Sequence, residues 1–251
     1  MKNKFAAFTI VKNESYFLPI WLKYYSRFFQ NKDIYVLDHE STDGSTDSLG
    51  VNAVPVHNEF AFDHQWLVET VQNFQKELLD RYECVVFAEA DELLYCPSSS
   101  LGDLLNRFLS NQSMECLTSV GYEVIQNLGE EGSLGAGDEV FGNRKYFFRY
   151  PLYDKTLISK VPLNWEWGFH RCDKPQNFAY GSHIMHLHRV DFELMLKRHE
   201  ERAKRWKLKN DGAAGVQHRI GDREGVLNYF NKTASPIEKV PNDHLRCFEG
   251  L

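Results

Sequence analysis

Four short apolar runs in the first ninety residues are each followed by a helical stripe or by helix-capping residues. That alternation restricts the chain's fold more than any other feature it has. Residues 4–11 read as a strand. From about Tyr16, Leu18, Trp21, Leu22, Tyr25 and Phe29 recur at helical spacing, with Pro19 tolerated in the first turn. Residues 34–37 form the second apolar run, and STDGSTDSL (41–49) offers caps for a short helix. Residues 53–56 form the third. Leu67, Val71, Phe74 and Leu78 then mark a long helix through about Tyr82. The fourth run is 84–88, and Ser100 with Asp103 caps a helix carrying Leu104, Leu105 and Phe108. The order β-α-β-α-β-α-β-α predicts a largely parallel sheet with helices on both faces.

The second half follows a different pattern. Strand-like pieces at 116–125, 145–149 and 156–161 are mixed with a Gly-rich loop over 129–142. A helix is expected from Asp191 to about Leu208, with Phe192, Leu196, His199, Ala203 and Trp206 on one stripe. The last 40 or so residues are polar and weakly patterned.

Bulk properties narrow the function classes. The 251 residues suffice for one large domain, or one domain plus a C-terminal extension, with a sizeable core. A net charge of -6 gives no global basic field for nucleic acid. Cysteines 84, 96, 116, 172 and 247 are odd in number and form no CxxC pair, which reads as free thiols in a reducing cytosol. The apolar run 5–11 is short, contains Thr9 and lacks a small-residue cleavage site, so it is read as the first strand and not a signal peptide. No run approaches the ~20 apolar residues of a membrane span, so any membrane contact is expected to be peripheral.

VVFAEADELLYCP (85–97) leads a buried strand into Glu89, Asp91 and Glu92. In parallel α/β sheets ligands bind beyond the carboxyl ends of the strands. Glu89 and Asp91 are two apart, so an extended segment points both to one side. Two carboxylates converging there suit a hard divalent cation, Mg²⁺ or Mn²⁺, which would neutralise a diphosphate. The plainer reading is a solvated loop with acidic caps. IYVLDHESTDGS (34–45) likewise ends an apolar strand in an acid, Asp38, before a turn in which Asp43 and Ser45 read as caps.

Taken together, VKNESYFLPIWLKYY (11–25), VLDHESTDGS (36–45) and FAEADELL (87–94) resemble a family 2-type glycosyltransferase of the GT-A fold. The nearest subgroup has KNE…LPEWL after its first strand and an Asp-x-Asp-Glu metal motif. The resemblance covers about the first 110 residues well and the second half in outline. It implies an α/β fold of GT-A type, a mostly parallel central sheet flanked by helices. Residues 1–110 would be a Rossmann-like nucleotide-sugar-binding half, 111–209 the acceptor half, and 210–251 a C-terminal extension. It further implies that Val11, Asn13 and Glu14 line the base pocket and that Asp38 reads the base. Glu89 and Asp91 would bridge ribose, cation and diphosphate. The family has Asp where this chain has Glu89, which makes Asp91 the safer ligand, with Glu92 orienting the loop.

GSHIMHLHRVD (181–191) holds His183, His186 and His188. If the segment is extended, His186 and His188 share a face opposite Met185 and Leu187. They are either metal ligands completing the shell of Asp91 and Glu89, or structural imidazoles. NWEWGFHRCD (164–173) packs Trp165, Trp167, Phe169 and His170 around Glu166. The aromatics suit a sugar platform and Glu166 a general base, the alternative being core tryptophans and a solvated acid. Lys155 either meets the leaving diphosphate or is an ordinary surface lysine. Lys197, Arg198, Arg202, Lys204, Arg205, Lys207 and Lys209 form either a solvated helix face or a patch for anionic lipid.

These readings point to a metal-dependent glycosyltransferase. It would move a sugar from a nucleoside diphosphate, UDP favoured, to a hydroxyl of a saccharide or lipid-linked acceptor. Cell-surface polysaccharide or lipopolysaccharide synthesis, in the cytoplasm or at the inner face of the membrane, would be its setting. A nucleotidyltransferase would need a Gly-rich basic loop after the first strand, which VKNESY lacks. A nucleotide-sugar- or carbohydrate-binding protein without turnover is the other alternative.

Overall fold

The computed structural model describes residues 2–60, 63–135, 137–206 and 220–251, excepting the side chains of Arg205 and Trp206. Lys207 and Lys209, and the expected helix end near Leu208, lie outside the described residues.

Four parallel strands organise the first half: β1 (Asn3–Val11), β2 (Ile34–Asp38), β3 (Asn52–Pro55) and β4 (Tyr82–Phe87). Their spatial order is β3-β2-β1-β4. The middle of β1 and nearly all of β2 and β4 are buried, which is why these strands read as apolar runs rather than alternations. Helix α1 (Phe17–Tyr25) buries Phe17, Leu18, Trp21, Tyr24 and Tyr25. Helix α2 (His64–Arg81) starts at Asp63, whose carboxylate accepts from the backbone N–H groups of Gln65 and Trp66.

The chain runs outward from β1 to β3 and then returns to place β4 on β1's other side. The crevice where strand order reverses lies between β1 and β4, the position where open α/β sheets bind ligands.

The expected short helix at 41–49 is absent; the segment is a series of turns. Its polar side chains serve those turns instead. Asp38 accepts from Ser41 N–H, Asp43 accepts from Ser45 N–H, and Gly44 and Ser48 take positive φ.

After β4 a turn reverses the chain into an unexpected strand, β5 (Glu92–Tyr95). Four residues all buried carry no period-2 signal, and the acids before them suggest a loop. Helix α3 (Leu101–Ser110) follows, capped by Ser100 on Asp103 N–H as expected. The second half adds β6 (Cys116–Ile125), the short α4 (Val140–Asn143), β7 (Tyr146–Arg149), β8 (Lys155–Ser159) and β9 (His183–Arg189). Strands β8, β6 and β7 extend the sheet antiparallel beyond β4. Strand β9 pairs parallel with β6 and antiparallel with β5. The sheet is therefore mixed, parallel at the β1–β4 end.

Helix α5 (Phe192–Trp206) packs with α6 (Arg223–Asn231) through Phe192, Met195, Leu196, Val226 and Phe230. The weakly patterned end of the chain also forms β10 (Glu238–Lys239) and α7 (Asn242–Arg246), anchored by buried Val240, Phe248 and Leu251. All five cysteines are free. No described helix is long and apolar enough to cross a membrane.

Candidate functional site

A cavity of about 200 Å³ opens beyond the ends of β1 and β4. Glu14 after β1, Glu89 and Asp91 after β4, Lys155 on β8, and His186 and His188 on β9 all line it. Four separate stretches of sequence thus converge on one crevice. The alternation on β9 puts His186 and His188 toward the cavity. His183 falls on the other side, bonded to the Gly181 carbonyl and close to the Tyr95, Tyr122 and His244 rings.

The two β4 acids take different partners. Glu89 Oε2 lies 2.6 Å from Lys155 Nζ, which is also 2.6 Å from Glu92 Oε1. Glu92 closes the turn as well, accepting from Glu89 N–H at 3.1 Å. Lys155 is only 1% exposed, which rules out the surface-lysine alternative. Burial works against its charge, but the carboxylates of Glu89 and Glu92 outweigh that and raise its pKa.

Asp91 is buried and accepts from Arg198 Nη1 at 3.0 Å, while Arg198 Nη2 donates to Glu14 at 2.8 Å. Burial alone would raise the Asp91 pKa; Arg198, His186 and Arg202 outweigh it and hold the carboxyl below its usual range.

Strand register sets the surroundings of His186. It pairs with Glu92 on β5 and with Glu123 on β6. Its Nδ1 lies 2.8 Å from Glu123 Oε2 and its Nε2 3.8 Å from Asp91 Oδ1. Burial disfavours the imidazolium, yet Glu123 and Asp91 raise its pKa to about 9. His188 has the opposite balance. Burial, followed by Arg202 and Arg198, lowers it well below the usual value, so the ring is neutral at physiological pH. Its Nδ1 is 4.0 Å from Asp91 Oδ2 and its Nε2 is 3.3 Å from His199 Nε2.

Among the described residues no three His, Cys, Asp or Glu side chains form a ready-made metal site. The donor chemistry at Asp91 nevertheless fits a divalent cation. One carboxylate faces two imidazoles, and Glu123 holds the far nitrogen of His186 as carboxylates hold metal-ligating histidines elsewhere.

The remaining expected site residues lie outside this lining. Val11 is buried in β1, level with Asp38 of β2. Asn13 has φ 58° and accepts from Thr42 N–H at 2.7 Å. Asp38 accepts from Ser41 N–H and from Thr46 Oγ1, each at 2.9 Å. Glu166 is exposed, grouped with Gln65, Gln72 and Trp167. Trp165 is core, whereas Trp167 is 47% exposed and stacks on His64, a residue of the cavity wall.

Neither alternative for the basic helix face covers Arg198 and Arg202, which turn into the cavity. Nothing local in the sequence sets these two half-buried arginines apart from the exposed lysines beside them. Glu123 was also missed; a lone acid inside an apolar strand was its signal. Tyr153 and Tyr229 also line the cavity and carry no local signature, while Phe169 and His170, from the aromatic group around Glu166, line it too.

No protein-family model matches the chain, and no curated protein matches it. Solved structures similar to it include a cytidylyltransferase from Leptospira borgpetersenii, at 17% identity and TM-score 0.33 over 47% of this chain and 54% of that one. Another is glucosyl-3-phosphoglycerate synthase from Mycobacterium tuberculosis in complex with Mn²⁺, UDP and glucosyl-3-phosphoglycerate. It has 15% identity and TM-score 0.34 over 47% of this chain and 44% of that one. A third is CMP:2-keto-3-deoxy-manno-octonic acid synthetase with CTP, at 13% identity and TM-score 0.30 over 49% and 54%. The chain spans about half the length of each.

Proposed function

We propose that the protein is a glycosyltransferase that takes a sugar from a nucleoside diphosphate, UDP favoured, and passes it to a hydroxyl of a saccharide or lipid-linked acceptor. One observation carries the reading: acids from the ends of β1 and β4, the Lys155 ammonium and the two β9 imidazoles meet in the crevice where strand order reverses. The segment after β1, with Val11, Asn13 and Glu14, and Asp38 after β2, would hold the nucleoside. Residues 1–110 then serve as the donor half, 111–209 as the acceptor half, and 210–251 as a C-terminal extension.

Asp91 with His186 or His188 would hold Mn²⁺ or Mg²⁺, which when bound neutralises the diphosphate and the charge building on the leaving group. Lys155 bridges Glu89 and Glu92 and holds the turn after β4 in place; Glu89, on that ammonium, is left for a ribose hydroxyl. Arg198 and Arg202 add cationic charge beside the leaving group. Glu166 beside Trp167 is proposed as the acceptor-side base. Lys197 and Lys204, exposed on α5, would face anionic lipid if the acceptor is lipid-linked.

Thermal shift with a panel of nucleotide sugars and Mn²⁺, followed by donor hydrolysis, tests the reading. Release of nucleoside diphosphate, lost in Asp91→Asn, is expected. Binding without any release would instead support a nucleotide-sugar-binding protein, the reading favoured by Glu89 at a place where its counterparts have Asp. Glu166→Gln should lower kcat by about 10²–10⁴-fold and leave donor affinity unchanged.

A further inference from the structure

The guanidinium of Arg198 spans Glu14 and Asp91, 2.8 Å from one carboxylate and 3.0 Å from the other. It also lies over the Phe17 ring, 4.5 Å from its centroid. The first residue belongs to the loop after β1, the second to the turn after β4, and the arginine to the first half of α5. The acid best suited to hold a divalent cation is therefore already neutralised by a side chain of the protein.

The charges around the cavity give this contact a consequence. Lys155, Arg198 and Arg202 are cationic, and Glu14, Glu89, Asp91 and Glu92 stand against them. A dication entering alone would meet Arg198 and Arg202 at short range, with Asp91 already engaged. A dication entering with a diphosphate brings its own counter-charge, and the same anion offers a displaced guanidinium a new bidentate partner.

We infer that Arg198 is a built-in placeholder for the metal. It holds Asp91 until a metal–diphosphate complex arrives, and then transfers from Asp91 to the diphosphate. Metal binding is thereby made conditional on nucleotide. This rests on the donor-binding reading above and adds an order of binding and a residue that enforces it. No covalent step is involved. One ion pair is exchanged for another, and the Glu14 arm of the guanidinium sets how far it can swing.

The test uses the full-length protein, MnCl₂ and UDP, with calorimetry and the electron paramagnetic resonance signal of free Mn²⁺ as readouts. Wild type should bind Mn²⁺ weakly in the absence of UDP and at least tenfold more tightly with UDP present. Arg198→Gln should bind Mn²⁺ alone about tenfold more tightly than wild type, because its competitor is gone, and should bind UDP in the presence of Mn²⁺ about tenfold more weakly. Unchanged affinity for Mn²⁺ alone in Arg198→Gln overturns the inference, even if wild type binds UDP normally. Failure of wild type to bind UDP with or without Mn²⁺ overturns the donor-binding reading, and the inference with it. If Arg198→Gln does not fold, Arg198→Lys decides: a lysine lacks the planar fork whose two nitrogens each hold one of these carboxylates, so Mn²⁺ alone should bind about threefold more tightly, and an unchanged value overturns the placeholder role.

Discussion

His186 on β9 stands in register with Glu123 on β6, and the pairing brings the imidazole Nδ1 to 2.8 Å from the Glu123 carboxylate. Both residues are buried, Glu123 completely, which strengthens the contact between them. The pair fixes the ring so that its other nitrogen faces Asp91.

This pair makes metal-free stability depend on pH in one direction. The folded pKa of His186, about 9, lies above the ordinary 6.5. Its contribution is present in full below about 6.5 and is lost as pH rises through about 9. Urea denaturation without metal should show a fall in stability between pH 7 and pH 10. Glu123→Gln should flatten that fall, and an equal slope in the variant would remove the pair from the account.

Lys155 sits between Glu89 and Glu92, and Glu92 is fully buried. Lys155→Met leaves a buried carboxylate uncompensated, which costs about 3–5 kcal/mol. Chemical denaturation at pH 8 should register that loss. A change under 1 kcal/mol would mean that Glu92 is protonated in the native protein.

Asp38 has a structural role that can be separated from base recognition. Asp38→Asn keeps an oxygen to accept from Ser41 N–H but removes the charge. If the carboxylate accepts from a uracil N–H, uridine affinity should drop by about 1.5–3 kcal/mol with the melting temperature nearly unchanged. Wild-type uridine affinity in the variant would make Asp38 a turn residue alone.

Gly121 is required by close approach, not by φ. A Cβ there would lie 2.5 Å from the Tyr153 carbonyl carbon, oxygen and Cβ. Tyr153 packs on the His186 ring at 4.3 Å and lines the cavity. Gly121→Ala should therefore cost about 1–3 kcal/mol and weaken Mn²⁺–UDP binding as well. Normal nucleotide affinity in a destabilised variant would limit the contact to packing.

By itself the sequence determined the four parallel strands, their three main helices and the approximate limits of β6, because buried strands and amphipathic helices leave runs and stripes that local pattern exposes. It also singled out Asp91, His186 and His188, since an acid just past a buried strand and imidazoles inside an apolar one break that pattern, whereas Glu14 came from the family resemblance alone. The turns at 41–49 and strand β5 were decided by hydrogen bonds from Asp38 and Asp43 and by pairing with β9, neither of which leaves a periodicity. The partners of the site residues were decided only by the tertiary structure. Glu123 reaches His186 through a register between strands 63 residues apart, and Arg198 reaches Asp91 across 107 positions. Such contacts depend on how α5 and β9 pack against the ends of β1 and β4. A charged residue on a helix looks the same in sequence whether it faces solvent or a buried carboxylate.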